Sequence, residues 1–200
     1  KTAYTIVTCN DASVSELTAA KELSEYLNEI SGAEFTVVKE ENADLKGKHI
    51  FIGYSPAYGK DMQADRPEDD FEGFRYCNVG KNIWIYGGKG RGTMYGVFSF
   101  LENELGVRWY ASDCTKVPSL KAWEFEKMDV SEEPAVKYRF TQYRNVESNP
   151  AWLAHNKNNS VWSACDNEYG GLSSYWNAHT FEQFIPSGKY FQEHPEYFSL

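Results

Sequence analysis

"YGGKGRGTMYGVFSFLENELGVRWY", residues 86–110, sets an apolar run before a glycine-rich turn that carries two cations, Lys89 and Arg91, and then an amphipathic segment. Nucleotide-binding loops and plain strand-to-helix connections share that order, so the fold reading turns on which of the two it is. A phosphate loop needs glycines at fixed offsets, because backbone N–H groups must converge on the anion, and a P-loop adds Lys followed by Ser or Thr. Gly87 and Gly92 have the outer spacing, but Thr93 stands where the lysine belongs. The dinucleotide pattern also fails, since its third glycine position holds Thr93 counted from Gly88 and Gly90, or Tyr95 counted from Gly90 and Gly92. The spacing therefore predicts a scaffold turn, with Gly96 allowing the helix to pack closely. Met94, Val97, Phe98, Leu101 and Leu105 fall at helical spacing and predict the buried face of that helix.

Working outward, "YTIVT" at residues 4–8 reads as a strand, and the helix after it opens on Ser13 and Glu16 at capping-box spacing. Val14, Leu17, Ala20, Leu23, Leu27 and Ile30 form its predicted apolar stripe, and Gly32 supplies a left-handed stop. "EFTVVKE" and "HIFIGYS" read as strands, "KDMQADRPEDDFEG" as an acidic surface loop, and "GFRYCNVGKNIWIYGG" as a hairpin turning on Gly80 and Asn82. "MDVSEEP", ending at Pro134, breaks the pattern and reads as a linker. Beyond Tyr138 the chain is dense in Trp, Tyr, Asn and Ser with few periodic aliphatics. "VKYRFTQYRNV" there reads as one strand.

A chain of 200 residues with 42% hydrophobic content buries a real core but makes only one full domain and part of another. Its 20 Lys and Arg against 29 Asp and Glu give a net charge of -9, which excludes nucleic acid and anionic membrane surfaces as partners. No apolar run is long enough to span a bilayer and no signal peptide is visible. The start at Lys1 suits a processed or trimmed chain. Cys9, Cys77, Cys114 and Cys165 include no C-x-x-C pair and read as buried thiols. In an exported protein, Cys77 with Cys114 is the alternative. His155, His179 and His194 fit no ligand spacing, so no metal and no cofactor is expected.

The glycine turn with "GTMYGVFSFLE" and "LGVRWY", preceded by "AAKELSEYLNEISG", "HIFIGYS" and "EGFRYCNVGKNIWIYGG", resembles the noncatalytic N-terminal domain of bacterial α-glucuronidases and related uncharacterised glycan-degrading proteins. It is similar, more distantly, to the small domain of β-N-acetylhexosaminidases. The matching pieces cover most of residues 4–118. The resemblance implies an α+β (α/β-like) sandwich, a mixed sheet with two long helices, over residues 1–130. It also implies the first strand and loops of a truncated (β/α)8 barrel over residues 134–200. "HTFEQFIPSGKYFQEHPEYFSL" resembles a stretch shortly after that strand in the uncharacterised relatives.

The chain then reads as the N-terminal region of a secreted or periplasmic glycoside hydrolase whose partners are a carbohydrate and a downstream barrel domain. Glycoside hydrolysis needs two carboxyl groups flanking the scissile bond. Asp166, Glu168 and Glu147 match no family motif and read as solvated, so no catalytic residue is expected in this chain. "PAVKYR" resembles the family's arginine after a proline, which makes Arg139 the implied sugar contact, with Arg144 and Asn145 as alternatives. An arginine fork suits vicinal hydroxyls or a uronate, and a structural ion pair is the competing reading. His179 and Thr180 in "WNAHTF" could bond a hydroxyl. Trp176, Trp162 and Tyr175 offer flat faces to a pyranose, or simply pack. The rival from another class is a carbohydrate-binding or protein-interaction module without catalysis.

Overall fold

The computed structural model describes residues 4–44, 46–56, 64–124, 127–159, 167–171 and 180–198. β1 (Tyr4–Thr8) leads into α1 (Val14–Ser31), and β2 (Val37–Lys39) and β3 (Lys48–Ile52) follow. The hairpin is β4 (Phe74–Val79) with β5 (Asn82–Gly87), after which α2 (Gly92–Asn103) begins directly beyond the glycine turn. A small two-stranded sheet, β6 (Arg108–Ala111) with β7 (Cys114–Lys116), precedes β8 (Asp129–Glu132). Three short helices, α3 (Pro150–His155), α4 (Phe181–Phe184) and α5 (Ser187–Tyr190), complete the set among the described residues.

The main sheet has six strands in the order β2-β1-β3-β5-β4-β8. β2, β1, β3 and β5 are parallel, whereas β4 is antiparallel to both β5 and β8. Alternation divides its faces, because successive strand residues point to opposite sides. Ile6, Ile50, Ile52, Ile83, Ile85, Phe74 and Tyr76 join the cluster that holds both long helices. Val7, Phe51, Cys77, Trp84 and Tyr86 form a second cluster on the other face, where Phe51 and Trp84 stack at 4.1 Å. The result is a mixed α+β fold.

Both ends of α1 follow the sequence. Ser13 Oγ accepts from the Glu16 N–H while Glu16 Oε2 accepts from the Ser13 N–H at 2.9 Å, and Gly32 closes the helix at φ 68°. The stripe needs correcting at its start: Val14 and Leu17 are 53% and 44% exposed, and Ala19 is buried with Ala20, Leu23, Leu27 and Ile30. α2 is buried all round from Gly92 to Leu101, so Tyr95, Ser99 and Phe100 are core along with the expected Met94, Val97, Phe98 and Leu101. The cause is a third layer on its outer side: Phe98 meets the rings of Trp109 and His155 as well as the sheet cluster. Gly96 does allow close approach, since a Cβ there would lie 3.0 Å from Ile85 Cγ2.

Two readings around the middle of the chain are overturned. The segment read as a linker supplies β8, whose Asp129–Glu132 pair with Cys77–Phe74 and extend the sheet. "VKYRFTQYRNV" does not form a strand: Phe140 makes an isolated bridge and a turn follows, in which the Val146 and Glu147 N–H groups donate to the Tyr143 carbonyl. No barrel unit forms among the described residues. The next segment instead joins the first core, with Leu153 and Ala154 of α3 fully buried. Cys77 and Cys114 are both free thiols, one buried in β4 and the other exposed on β7, so they are not bridged. Cys165 lies outside the described residues.

Candidate functional site

The glycine turn is filled by the protein itself. A Cβ on Gly87 or Gly92 would meet the Gly73 carbonyl oxygen, and one on Gly88 would meet the Phe71 carbonyl oxygen, all closer than real Cβ contacts come. The Lys89 carbonyl accepts from the hydroxyls of Ser13 and Ser15, and the Gly90 carbonyl from Ser15. Where a phosphate loop would aim N–H donors at an anion, this turn is lined by carbonyl oxygens and occupied by backbone. Thr93, in the place of the P-loop lysine, donates to Glu16 Oε1 at 3.0 Å and accepts from the Gly87 N–H. Glu16 thereby caps α1 and ties it to the start of α2. Burial pushes its carboxyl above the usual carboxylate range, against the bonds from Ser13 and Thr93.

Beside this turn lies a groove of about 920 Å³, walled by the start of α1, residues 68–72, Lys89 to Arg91, and Glu133, Pro134 and Lys137. Its floor ends in a cluster around Glu72. Glu72 Oε1 lies 2.9 Å from Arg91 Nε and Oε2 lies 2.6 Å from Arg139 Nη2. Asn159 Nδ2 donates to both oxygens at 3.0 Å. The side chains of Glu72, Arg91 and Arg139 are only 17%, 13% and 19% exposed. Arg139 also donates from Nε to the Lys157 carbonyl and from Nη1 to the Val136 carbonyl, and its guanidinium lies over the Tyr95 ring. Burial, then the Glu72 charge, push the Tyr95 hydroxyl up to about 12.

A second groove, of about 570 Å³, runs along α1 past Glu22, Glu25 and Glu29. There Glu22 accepts from the Tyr169 hydroxyl at 2.7 Å and lies 2.6 Å from His155 Nε2. His155 stacks on Trp109 at 4.4 Å, and Trp109 donates in turn to the Tyr26 hydroxyl. This contact docks α3 and the turn at Asn167–Tyr169 onto α1.

Of the residues singled out from sequence, Arg139 stands in the Glu72 cluster, which is the structural ion pair named as its competing reading. Arg144 and Asn145 lie exposed in the turn after it. Thr180 is half-buried at the start of α4, its carbonyl accepting from the Gln183 and Phe184 N–H groups. Trp176, His179, Trp162, Tyr175 and Asp166 lie outside the described residues. Glu147 is half-buried, and Glu168 is exposed where it borders the second groove. His155 serves the packing just described, and among the described residues no group of His, Cys, Asp and Glu could hold a metal ion. Glu72, Arg91, Asn159 and Glu22 carried no signal in the sequence, because each pairs with partners far along the chain. No helix among the described residues is long and apolar enough to cross a membrane.

With this geometry in hand, the chain can be set beside known proteins. Residues 109–200 match a family model described as "Domain of unknown function (DUF4838)". No curated protein matches. Among solved structures, a family GH115 4-O-methyl-α-glucuronidase, BtGH115A, with specificity for decorated arabinogalactans, superposes at a TM-score of 0.64 with 14% identity, over 94% of this chain and 32% of its own. A GH138 enzyme targeting pectin rhamnogalacturonan II reaches 0.41 with 18% identity over 68% of this chain and 16% of its own. CpGH84D reaches 0.37 with 16% identity over 49% and 17%. The α/β layer is thus a fold present in a glycoside hydrolase, and the chain spans about a third of that α-glucuronidase's length.

Proposed function

We propose that this chain is the accessory α+β region of a glycoside hydrolase that acts on glycan-derived sugars, followed by the opening segment of its (β/α)8 catalytic domain. The observation that carries this reading is the superposition on the α-glucuronidase over 94% of the chain. The family match over residues 109–200 supports the reading that the aromatic tail recurs in other proteins. In this reading the chain supplies scaffold and part of the sugar site, the catalytic carboxylates come from a downstream barrel domain, and the protein works outside the cytoplasm, secreted or periplasmic. Arg139, Arg144 and Asn145 lie before α3, and Trp176, His179 and Thr180 lie after it. Together they are the proposed sugar contacts.

The test is calorimetric titration of the longest natural chain with monosaccharides and uronates. Arg139→Ala is expected to weaken binding by about 1.5 to 3 kcal/mol, the scale of hydrogen bonds to a charged group. Unchanged affinity removes that role from Arg139. The 200-residue chain alone is expected to bind sugars no tighter than about millimolar, because an open groove does not bury most of a ligand. A second reading, a carbohydrate-binding or protein-interaction module without catalysis, is favoured by the C-terminal helices, where Phe181 and Phe184 are 87% and 60% exposed. Tight sugar binding by the 200-residue chain would select that reading.

A further inference from the structure

The segment from Pro134 to Tyr143 is held in an unusual way. It forms no helix and no extended ladder; Val136 and Tyr143 face outward at 60% and 73% exposure, while Tyr138 and Phe140 are half-buried with their rings 6.2 Å apart. Its fastening is polar. Arg139 N–H donates to Asn159 Oδ1, Asn159 N–H donates to the Arg139 carbonyl, and Asn159 Nδ2 donates to the Lys137 carbonyl. These bonds knit residues 137–139 to 157–159, and Glu72, between Arg91 on one side and Arg139 on the other, is the carboxylate that binds the knot to the α/β layer. Beside it stand lesser links, in which Tyr95 Oη donates to the Asn158 carbonyl, Arg91 Nη1 donates to the Asn159 carbonyl and Lys157 Nζ lies 3.8 Å from Glu102 Oε2. Further along the chain, a largely apolar attachment begins at the buried Val146 and continues through Leu153, Ala154 and His155, and the Lys157 and Asn158 N–H groups donate back to the Ala154 and Leu153 carbonyls.

We propose that Glu72 is a releasable clamp, whose carboxylate pins residues 136–139 and 157–159 to the α/β layer and whose loss frees that strap while the layer and the α3 attachment stay folded. The physics lies in the count of charges. Two guanidinium groups, each less than 20% exposed, converge on one carboxylate. Removing one partner of a buried pair leaves an uncompensated charge that the interior solvates poorly. Here removal leaves two like charges facing one another, and they relax most readily by moving the part with the fewest buried apolar contacts. That part is the strap. Of the three bonded nitrogens of Arg139, Nη2 is held by the clamp carboxylate, whereas Nε and Nη1 bond carbonyls of the strap itself, so release frees Nη2 for another partner.

Hydrogen exchange resolved at single amides tests the clamp on the 200-residue chain. In Glu72→Gln the Arg139 and Asn159 amides should exchange at least about tenfold faster, as expected of local opening, with β1, β3, β5 and α1 unchanged. Arg139→Gln should do the same, and the double variant should add little to either. The Nη2 protons of Arg139, which donate to Glu72, report the side chain directly and should lose exchange protection in Glu72→Gln. Unchanged exchange at residues 139 and 159 overturns the proposal, and so does acceleration spread equally through the sheet. Failure of both single variants to fold would overturn it as well, since a clamp that cannot be opened separately is not a clamp.

Discussion

The α/β layer and the segment laid over it are held by different forces. From Tyr4 to Glu132 the structure rests on burial: the sheet's isoleucines and the whole circumference of α2 are removed from water, and ion pairs such as Arg75 with Asp129 lie toward the surface. From Pro134 onward the chain is attached by two polar clusters, at Glu72 and at Glu22, with α3 as its main apolar contribution. Burial is non-directional and tolerates small shifts, whereas a carboxylate shared by two guanidinium groups holds one geometry. The layer should therefore answer to lost volume and the overlay to lost charge.

The largest expected effect lies where the two meet. Phe98 is fully buried among Trp109, His155 and the sheet cluster, so Phe98→Ala should cost about 3 to 5 kcal/mol in denaturant unfolding. A cost under about 1 kcal/mol would mean that the overlay collapses readily into the space, and the contrast would fail. His155→Ala should cost less, about 1 to 3 kcal/mol, because it leaves Glu22 with one hydrogen-bond partner fewer in a buried place. Its exchange signature should appear at α3 and Tyr169 and leave β1 and β3 untouched.

Acid response separates two carboxylates within the layer itself. Burial holds the Glu16 carboxyl above its ordinary range, so Glu16 contributes stability while protonated and that contribution is lost as pH rises through its raised value. The Arg75 guanidinium holds Asp129 below its ordinary range, so its contribution is present at neutral pH and is lost as pH falls through the lowered value. Glu16→Gln should remove the first slope from urea titrations run between acid and neutral pH. A slope that survives the substitution assigns it to another group. At the small end, Phe184→Ser should move stability by no more than about 0.5 kcal/mol, because that side chain is 60% exposed. A larger loss would show that α4 belongs to the core.

Most of the layer was legible because its signals are local. Ser13 and Glu16 sit three apart, Gly80 and Asn82 mark a tight turn, and strand alternation sorts Ile50 and Ile52 from Phe51 within one short run. Thr93 in place of a lysine was enough to reject the phosphate loop, and the structure gives the reason in the carbonyl-lined turn. The overlay was misread because its order is set at long range. β8 looks like a polar linker, since an edge strand needs backbone partners more than apolar side chains. "VKYRFTQYRNV" has strand chemistry, yet Glu72, far upstream, claims Arg139. A residue's nearest neighbours in sequence carry no trace of such a partner.

The late arrival of β8 bears on how the chain is made. As the polypeptide leaves the ribosome, β4 can pair with β5 at once, but its other edge stays bare until α2 and the β6–β7 hairpin have been synthesised and Asp129–Glu132 emerge. A bare edge invites pairing with a neighbouring nascent chain on the same polysome. Arg75 stands on that edge, and a charge there discourages such pairing until Asp129 arrives to neutralise it. The cation that closes the finished sheet through its ion pair thus guards the unfinished edge while it stands alone.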